Sequence, residues 1–95
     1  MEVKIQSVKF DASKQLIEFV EKKMSRLERF EDGSTGVDVV LKLDKDSEKG
    51  NKVALVTLRV PGGDIVSEQR ARTFEEAVDL ALDALKRQIE KRKER

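Results

Sequence analysis

The sequence predicts an α+β domain with the element order β-α-β-β-β-α, in which two helices cover one face of a four-stranded sheet. Two segments repeat apolar residues with the helical period, and the short segments around them are rich in β-branched residues or alternate apolar with polar residues. Each helix has one apolar stripe, which a single sheet can bury while its other face stays in water. A chain of 95 residues is predicted to form one domain, residues 1–95.

The N-terminal part is predicted to contain one strand and one helix. The strand covers residues 3–10, in which three β-branched residues and one phenylalanine are separated by polar residues. Asp11 or Ser13 caps the helix, which runs to about Phe30. Its apolar stripe consists of Leu16, Ile17, Val20, Met24 and Leu27.

Three strands are predicted to follow. The second and third, over residues 37–43 and 53–60, alternate clearly between apolar and polar residues. The tight turn Pro61-Gly62-Gly63 ends the third strand, because proline cannot continue a central strand. The fourth strand, from Asp64 to about Arg72, is the most polar and is predicted to take an exposed position.

The last helix begins with a capping box, Thr73-Phe74-Glu75-Glu76. Its predicted buried stripe consists of Phe74, Val78, Ala81, Leu82, Leu85 and Ile89. The solvent face of this helix is acidic in the first half and basic in the second half.

The composition argues against catalysis and in favour of binding. The sequence contains no cysteine and no histidine, which removes thiolate nucleophiles, the usual general base and the commonest zinc ligand. No apolar stretch approaches the ~20 residues that span a bilayer, and the first residues do not resemble a signal peptide. We expect a cytoplasmic protein that is not an enzyme and that uses no cofactor, metal, membrane or small-molecule substrate.

The net charge of +1 conceals an uneven distribution along the chain. Residues 86–95 contain six basic and two acidic side chains, a net of +4, so the other 85 residues together carry −3. Basic residues near a helix C-terminus complement the helix dipole, which is one explanation. Local binding of a polyanion is the other, since salt screens fields beyond ~8–10 Å and a basic end can act independently of the rest.

The first helix also separates its charges. Lys22, Arg26 and Arg29 lie along one flank of its apolar stripe with Lys23 at the margin, whereas Glu21 and Glu28 lie on the opposite flank. If the helices pack side by side, this ridge adjoins the basic end of the last helix and forms a surface for phosphates; an ordinary solvated flank is the alternative. The candidate RNA-binding residues are Lys22, Lys23, Arg26, Arg29, Lys86, Arg87, Lys91, Arg92, Lys93 and Arg95.

Several segments together resemble the short form of the ribosome hibernation-promoting factors, also called ribosome-associated translation inhibitors or sigma-54 modulation proteins. The resemblance covers the whole chain. It is carried by LIEFVEKKMSRLERF at residues 16–30, by Val39-Val40-Leu41-Lys42 and by the Gly62-Gly63 turn. The most specific stretch is Ala77-Val78-Asp79 followed by Asp83-Ala84-Leu85-Lys86-Arg87-Gln88, Lys91 and Lys93.

The resemblance implies a fold like the double-stranded-RNA-binding domain with an added first strand. It also implies a bacterial inhibitor that binds 16S rRNA in the decoding channel of the small ribosomal subunit, overlaps the mRNA and tRNA sites, and stores ribosomes inactive under stress or in stationary phase. Ribosome dimerisation is expected to need a second factor, since no dimerising domain follows Arg95. Lys23, Arg26, Arg87, Lys91, Lys93 and Arg95 match basic positions of the family, and the other four candidates come from the helical wheel and the basic tail.

Two other hypotheses remain open at the level of sequence. A protein-interaction adaptor could use the uncovered sheet face or the polar fourth strand as a docking edge. A generic double-stranded-RNA-binding module would bind free duplex RNA as tightly as it binds ribosomes.

Overall fold

The structure, a computed structural model, describes residues 1–30 and 33–93 and confirms the predicted α+β fold. The sheet has the strand order β1-β2-β3-β4, with β1 parallel to β2 and the other neighbours antiparallel. The elements are β1 (Glu2–Val8), α1 (Lys14–Ser25), a 3₁₀ helix (Arg26–Arg29), β2 (Gly36–Leu43), β3 (Lys52–Arg59), β4 (Ile65–Ala71) and α2 (Phe74–Lys93).

The alternation in the two central strands creates the core. Val37 pairs with Leu58 and Val39 with Val56, and all four side chains lie buried on the face that the helices cover. On the other face, Leu55 is partly exposed, in line with a sheet that has one face in water. β4 lies at an edge, the exposed position that its polar sequence predicts.

The first strand is shorter than predicted because the chain turns at Lys9. β1 ends at Val8, and Lys9 adopts a left-handed backbone conformation with φ of 69°. The turn carries the ring of Phe10 away from the sheet and stacks it on Phe74, with ring centroids 4.4 Å apart. Phe10 therefore joins the start of α1 to the start of α2 instead of extending β1.

Ser13, not Asp11, caps the first helix: its Oγ accepts a hydrogen bond from the N–H of Leu16 at 3.1 Å. The α-helix ends at Ser25, five residues before the predicted end, and tightens into the 3₁₀ helix. The N–H of Arg26 contacts the carbonyls of Lys23 and Met24, and its bond to Lys23, three residues earlier, has the 3₁₀ spacing.

The second helix follows the sequence prediction closely. The Oγ1 of Thr73 accepts a hydrogen bond from the N–H of Glu76 at 3.1 Å, which is the threonine half of the predicted capping box. Within the described residues, the Glu76 carboxylate does not accept the return bond from the N–H of Thr73. All six residues of the predicted apolar stripe are buried, and Ala77 joins them. Among the described residues, no helix is both long and apolar enough to cross a membrane.

The connection between β2 and β3 is held against the end of β4. The guanidinium of Arg70 donates to the carboxylate of Asp44 at 2.6 Å and to the carbonyls of Lys45 and Gly50 at 3.1 Å. The N–H of Lys45 and the Arg70 guanidinium lower the pKa of Asp44. Gly50 is buried at this contact with φ of 101°, and a Cβ there would lie 2.2 Å from the carbonyl oxygen of Ala71.

Replacing Gly50 by alanine is expected to lower the free energy of unfolding by about 2–5 kcal/mol, because backbone strain adds to a clash with backbone atoms that cannot rotate away. Gly63→Ala is the matched control. Gly63 also has a positive φ, 122°, but nothing lies within 4 Å of the added Cβ, so only the backbone strain of about 1–2 kcal/mol is expected. Urea denaturation measures the free energy of unfolding of each variant. Equal losses of stability in the two variants would show that the contact with Ala71 is unimportant.

Candidate nucleic-acid interface

The two helices lie side by side and run in the same direction. Lys23 of α1 contacts Asp79 in the first half of α2, and Phe30, just after the 3₁₀ helix, contacts Lys86 and Lys93 in the second half. The C-terminal ends of both helices therefore lie at the same end of the molecule. The basic residues of the two helices are brought together there, as the sequence predicted for helices packed side by side.

Three cations of this surface come from α1 and the 3₁₀ helix. Lys22, Arg26 and Arg29 are exposed, and together with Ser25 they line an open concavity of about 490 Å³. None of the three has an ion pair or hydrogen bond from its side chain to another group in the described part of the chain. Their charges are therefore available to an external anion.

Two further cations extend from α2 towards α1. The Nζ of Lys86 lies 4.9 Å from the ring centroid of Phe30, a cation–π contact that leaves its N–H donors free. The Nζ of Lys93 donates a hydrogen bond to the backbone carbonyl of Phe30. Phe30 thus links the end of the first helical segment to the basic half of α2.

The other flank of α2 carries a second group of cations. Arg87 and Lys91 are one helical turn apart, exposed, and without an ion pair or hydrogen bond from their side chains to the described residues. Lys91 and Arg92 line a cleft of about 510 Å³ between the end of α2 and the turn after β3. The guanidinium of Arg92 donates to the carbonyls of Gly63 at 3.2 Å and Pro61 at 3.3 Å.

The structure thus spreads the predicted residues around α2. The sequence predicts two adjacent ridges, but Lys86 and Arg87 diverge by about 100° on the helix, so the positive surface wraps around its C-terminal half.

Lys23 differs most from the prediction: its ammonium pairs with Asp79 at 3.1 Å and its side chain is only 23% exposed. Arg95 lies outside the described residues. Sequence reasoning missed Gln88, which lines the cleft, because only the fold reveals its neighbours.

The cations of this surface outnumber its acidic residues, which include Glu90, exposed on α2, and Asp64, which lines the cleft beside Lys91. Glu28, the acidic residue within the 3₁₀ helix, pairs with the amino group of Met1 at 2.8 Å. The acidic half of α2 lies at the opposite end, where its carboxylates complement the positive end of the helix dipole. Elsewhere, on the open sheet face, a hydrogen bond with Asp38 raises the pKa of Arg59, so this cation is already engaged.

The profile of the family described as Sigma 54 modulation protein / S30EA ribosomal protein matches residues 3–95 of this sequence. The chain belongs to this family of ribosome hibernation-promoting factors. The ribosome hibernation promoting factor of Azotobacter vinelandii is 36% identical over 95 residues, which are all of this chain and 85% of that protein. The hibernation factor of Escherichia coli K12 is 32% identical over all of this chain and 96% of its own length.

Solved structures of similar proteins share the fold of this hibernation-factor family member. The N-terminal domain of Thermus thermophilus Protein Y matches with a TM-score of 0.79 and 28% identity, over 96% of this chain and 98% of that one. The ribosomal subunit interface protein of Coxiella burnetii matches over the full length of both chains with a TM-score of 0.87. At 24% identity, this second likeness concerns the fold alone.

Proposed function

We propose that this chain binds 16S rRNA in the decoding channel of the small ribosomal subunit, excludes mRNA and tRNA, and keeps ribosomes inactive under stress or in stationary phase. The names of its relatives support a role in ribosome hibernation. The single observation that carries the RNA-binding part is the clustering of exposed cations at the shared C-terminal end of the helices. A ribosomal partner would place the protein in the bacterial cytoplasm.

The proposed contacts are to phosphates and to RNA shape. The phosphate-binding cations are Lys22, Arg26, Arg29, Lys86, Arg87, Lys91 and Lys93. Lys23 is not among them, because Asp79 already neutralises it. Arginine and lysine reach phosphate oxygens without reading bases, so a site of this kind recognises the backbone geometry of a folded RNA.

The aromatic residues support this mode of binding. The sequence has no tryptophan or tyrosine, and Phe10 and Phe74 stack on each other. Lys23 lies over the ring of Phe19 and Lys86 over that of Phe30. The four phenylalanines thus have partners within the protein, whereas sequence-specific readers of single-stranded RNA offer free rings for base stacking.

Co-sedimentation with purified small ribosomal subunits tests the proposal. We expect the protein to pellet with vacant subunits and to be excluded from subunits whose mRNA and tRNA sites are already filled. A duplex RNA of ribosomal sequence is the control for specificity. Equal affinity for free duplex and for subunits would indicate a generic double-stranded-RNA binder, and no co-sedimentation at low salt would refute the proposal in favour of a protein-interaction adaptor.

A further inference from the structure

The last described turn of α2, residues 90–93, contains no buried side chain that would hold it in place. Ile89 is the final buried residue of the helix, and Glu90, Lys91, Arg92 and Lys93 are all exposed. A helix end without buried contacts tends to fray, because its last carbonyls also lack partners within the helix. Two of the proposed phosphate-binding residues, Lys91 and Lys93, lie on this turn.

Arg92 supplies an anchor at this position. Its Nη1 and Nη2 atoms donate to two carbonyls of the turn between β3 and β4, those of Gly63 and Pro61. The turn is itself ordered by a hydrogen bond from the N–H of Gly63 to the carbonyl of Val60 at 3.3 Å. A planar guanidinium can hold two acceptors at once, which a lysine ammonium does less well.

The anchor fixes the cleft in which Lys91 lies. Arg92 and Lys91 line its helix side and Gly62 and Gly63 line its turn side, so the bonds of Arg92 cross from one wall to the other. On the opposite flank, Lys93 is bonded to the carbonyl of Phe30. The last turn of α2 is therefore held from both sides in the free protein.

We propose that Arg92 is a positioning residue: it fixes the last turn of α2 against the β3–β4 turn and so presents Lys91 to RNA phosphate, without contacting phosphate itself. This inference rests on the proposed function. It assigns different roles to the neighbouring residues Arg92 and Lys91. Binding of RNA is favoured because a helix end that is already ordered loses less conformational entropy.

The dependence of affinity on salt separates the two roles. Each phosphate contact contributes about one unit to the slope of log K against log salt concentration. We expect Arg92→Gln to weaken binding to small subunits about 2- to 10-fold, the entropic cost of ordering a loose helix end, with an unchanged slope. Its neighbour Lys91→Gln is the matched control, which loses one charge and is expected to lower the slope by about one unit.

Amide hydrogen exchange of the free protein gives an independent measurement. Arg92→Gln is expected to speed exchange in the last turn of α2, whereas Lys91→Gln leaves it unchanged. A slope lowered by Arg92→Gln as much as by Lys91→Gln, or exchange unaffected by Arg92→Gln, would overturn the proposal. If the wild-type protein does not bind subunits, the proposed function fails, and exchange still decides whether Arg92 anchors the helix.

Discussion

Raising the salt concentration from about 50 to 200 mM is expected to weaken binding to small ribosomal subunits by about 10³–10⁵-fold, the loss typical of six to ten phosphate contacts on duplex DNA. The structure offers seven exposed or partly exposed cations at the end of the helices: Lys22, Arg26, Arg29, Lys86, Arg87, Lys91 and Lys93. Each one that neutralises a phosphate releases condensed counterions, and added salt opposes that release.

The affinity of small ribosomal subunits for the fluorescently labelled protein, measured at equilibrium at several salt concentrations, gives this salt dependence. The magnesium concentration is held constant so that the subunits stay intact. The matched comparison is the Lys91→Gln variant, whose slope should be shallower by about one unit. A slope near zero for the wild-type protein would contradict phosphate neutralisation. It would favour an adaptor that docks through the open sheet face or the edge of β4.

Reversing two charges together, Arg26→Glu with Lys91→Glu, is expected to lower affinity for the subunit about 100-fold or more. Charged hydrogen bonds contribute about 1.5–3 kcal/mol each, and two such contacts are lost while two repulsive charges are added. Both residues are exposed, and neither side chain has an ion pair or hydrogen bond within the described chain. The free energy of unfolding should therefore change by at most about 1 kcal/mol per site, mainly through the helix dipole, which basic residues near a helix C-terminus complement.

The loop between β2 and β3 provides a control with the same change in net charge. Lys45→Glu with Lys49→Glu alters two exposed lysines that lie away from the helices. If the surface at the helix ends binds the RNA, this control should keep nearly wild-type affinity. Circular dichroism and urea midpoints verify that both double variants fold, and wild-type occupancy by the Arg26/Lys91 variant would refute the proposed surface.

The fold could be predicted from the sequence wherever one periodic signal dominates. Alternation in β2 and β3, the Thr73 cap and the stripe of α2 all correspond to observed contacts. The predicted element boundaries were wrong where contacts between residues distant in the sequence determine the structure. The left-handed turn at Lys9 is followed by the stacking of Phe10 on Phe74, residues that are distant in the sequence.

The candidate surface was less predictable than the fold, because a helical wheel shows only one helix at a time. It places Lys23 beside the basic ridge, but the neighbouring helix brings Asp79 against it. It also treats Arg92 as one more cation of the tail, whereas the turn after β3 engages its guanidinium. The location of the candidate surface could be predicted from the sequence, whereas the contacts of Lys23 and Arg92 depend on the packing of the helices and the turn.

The parallel pairing of β1 with β2 makes part of this surface depend on contacts between residues that are distant in the sequence. β2, β3 and β4 follow one another in antiparallel order through short connections, so they and α2 form contacts that are mostly local. β1 pairs with β2 only after α1 has crossed between them, with Glu2 opposite Gly36, and such distant pairing is slow to form. We therefore expect the contacts that set the cations of α1 beside those of α2 to form more slowly than the contacts among β2, β3, β4 and α2.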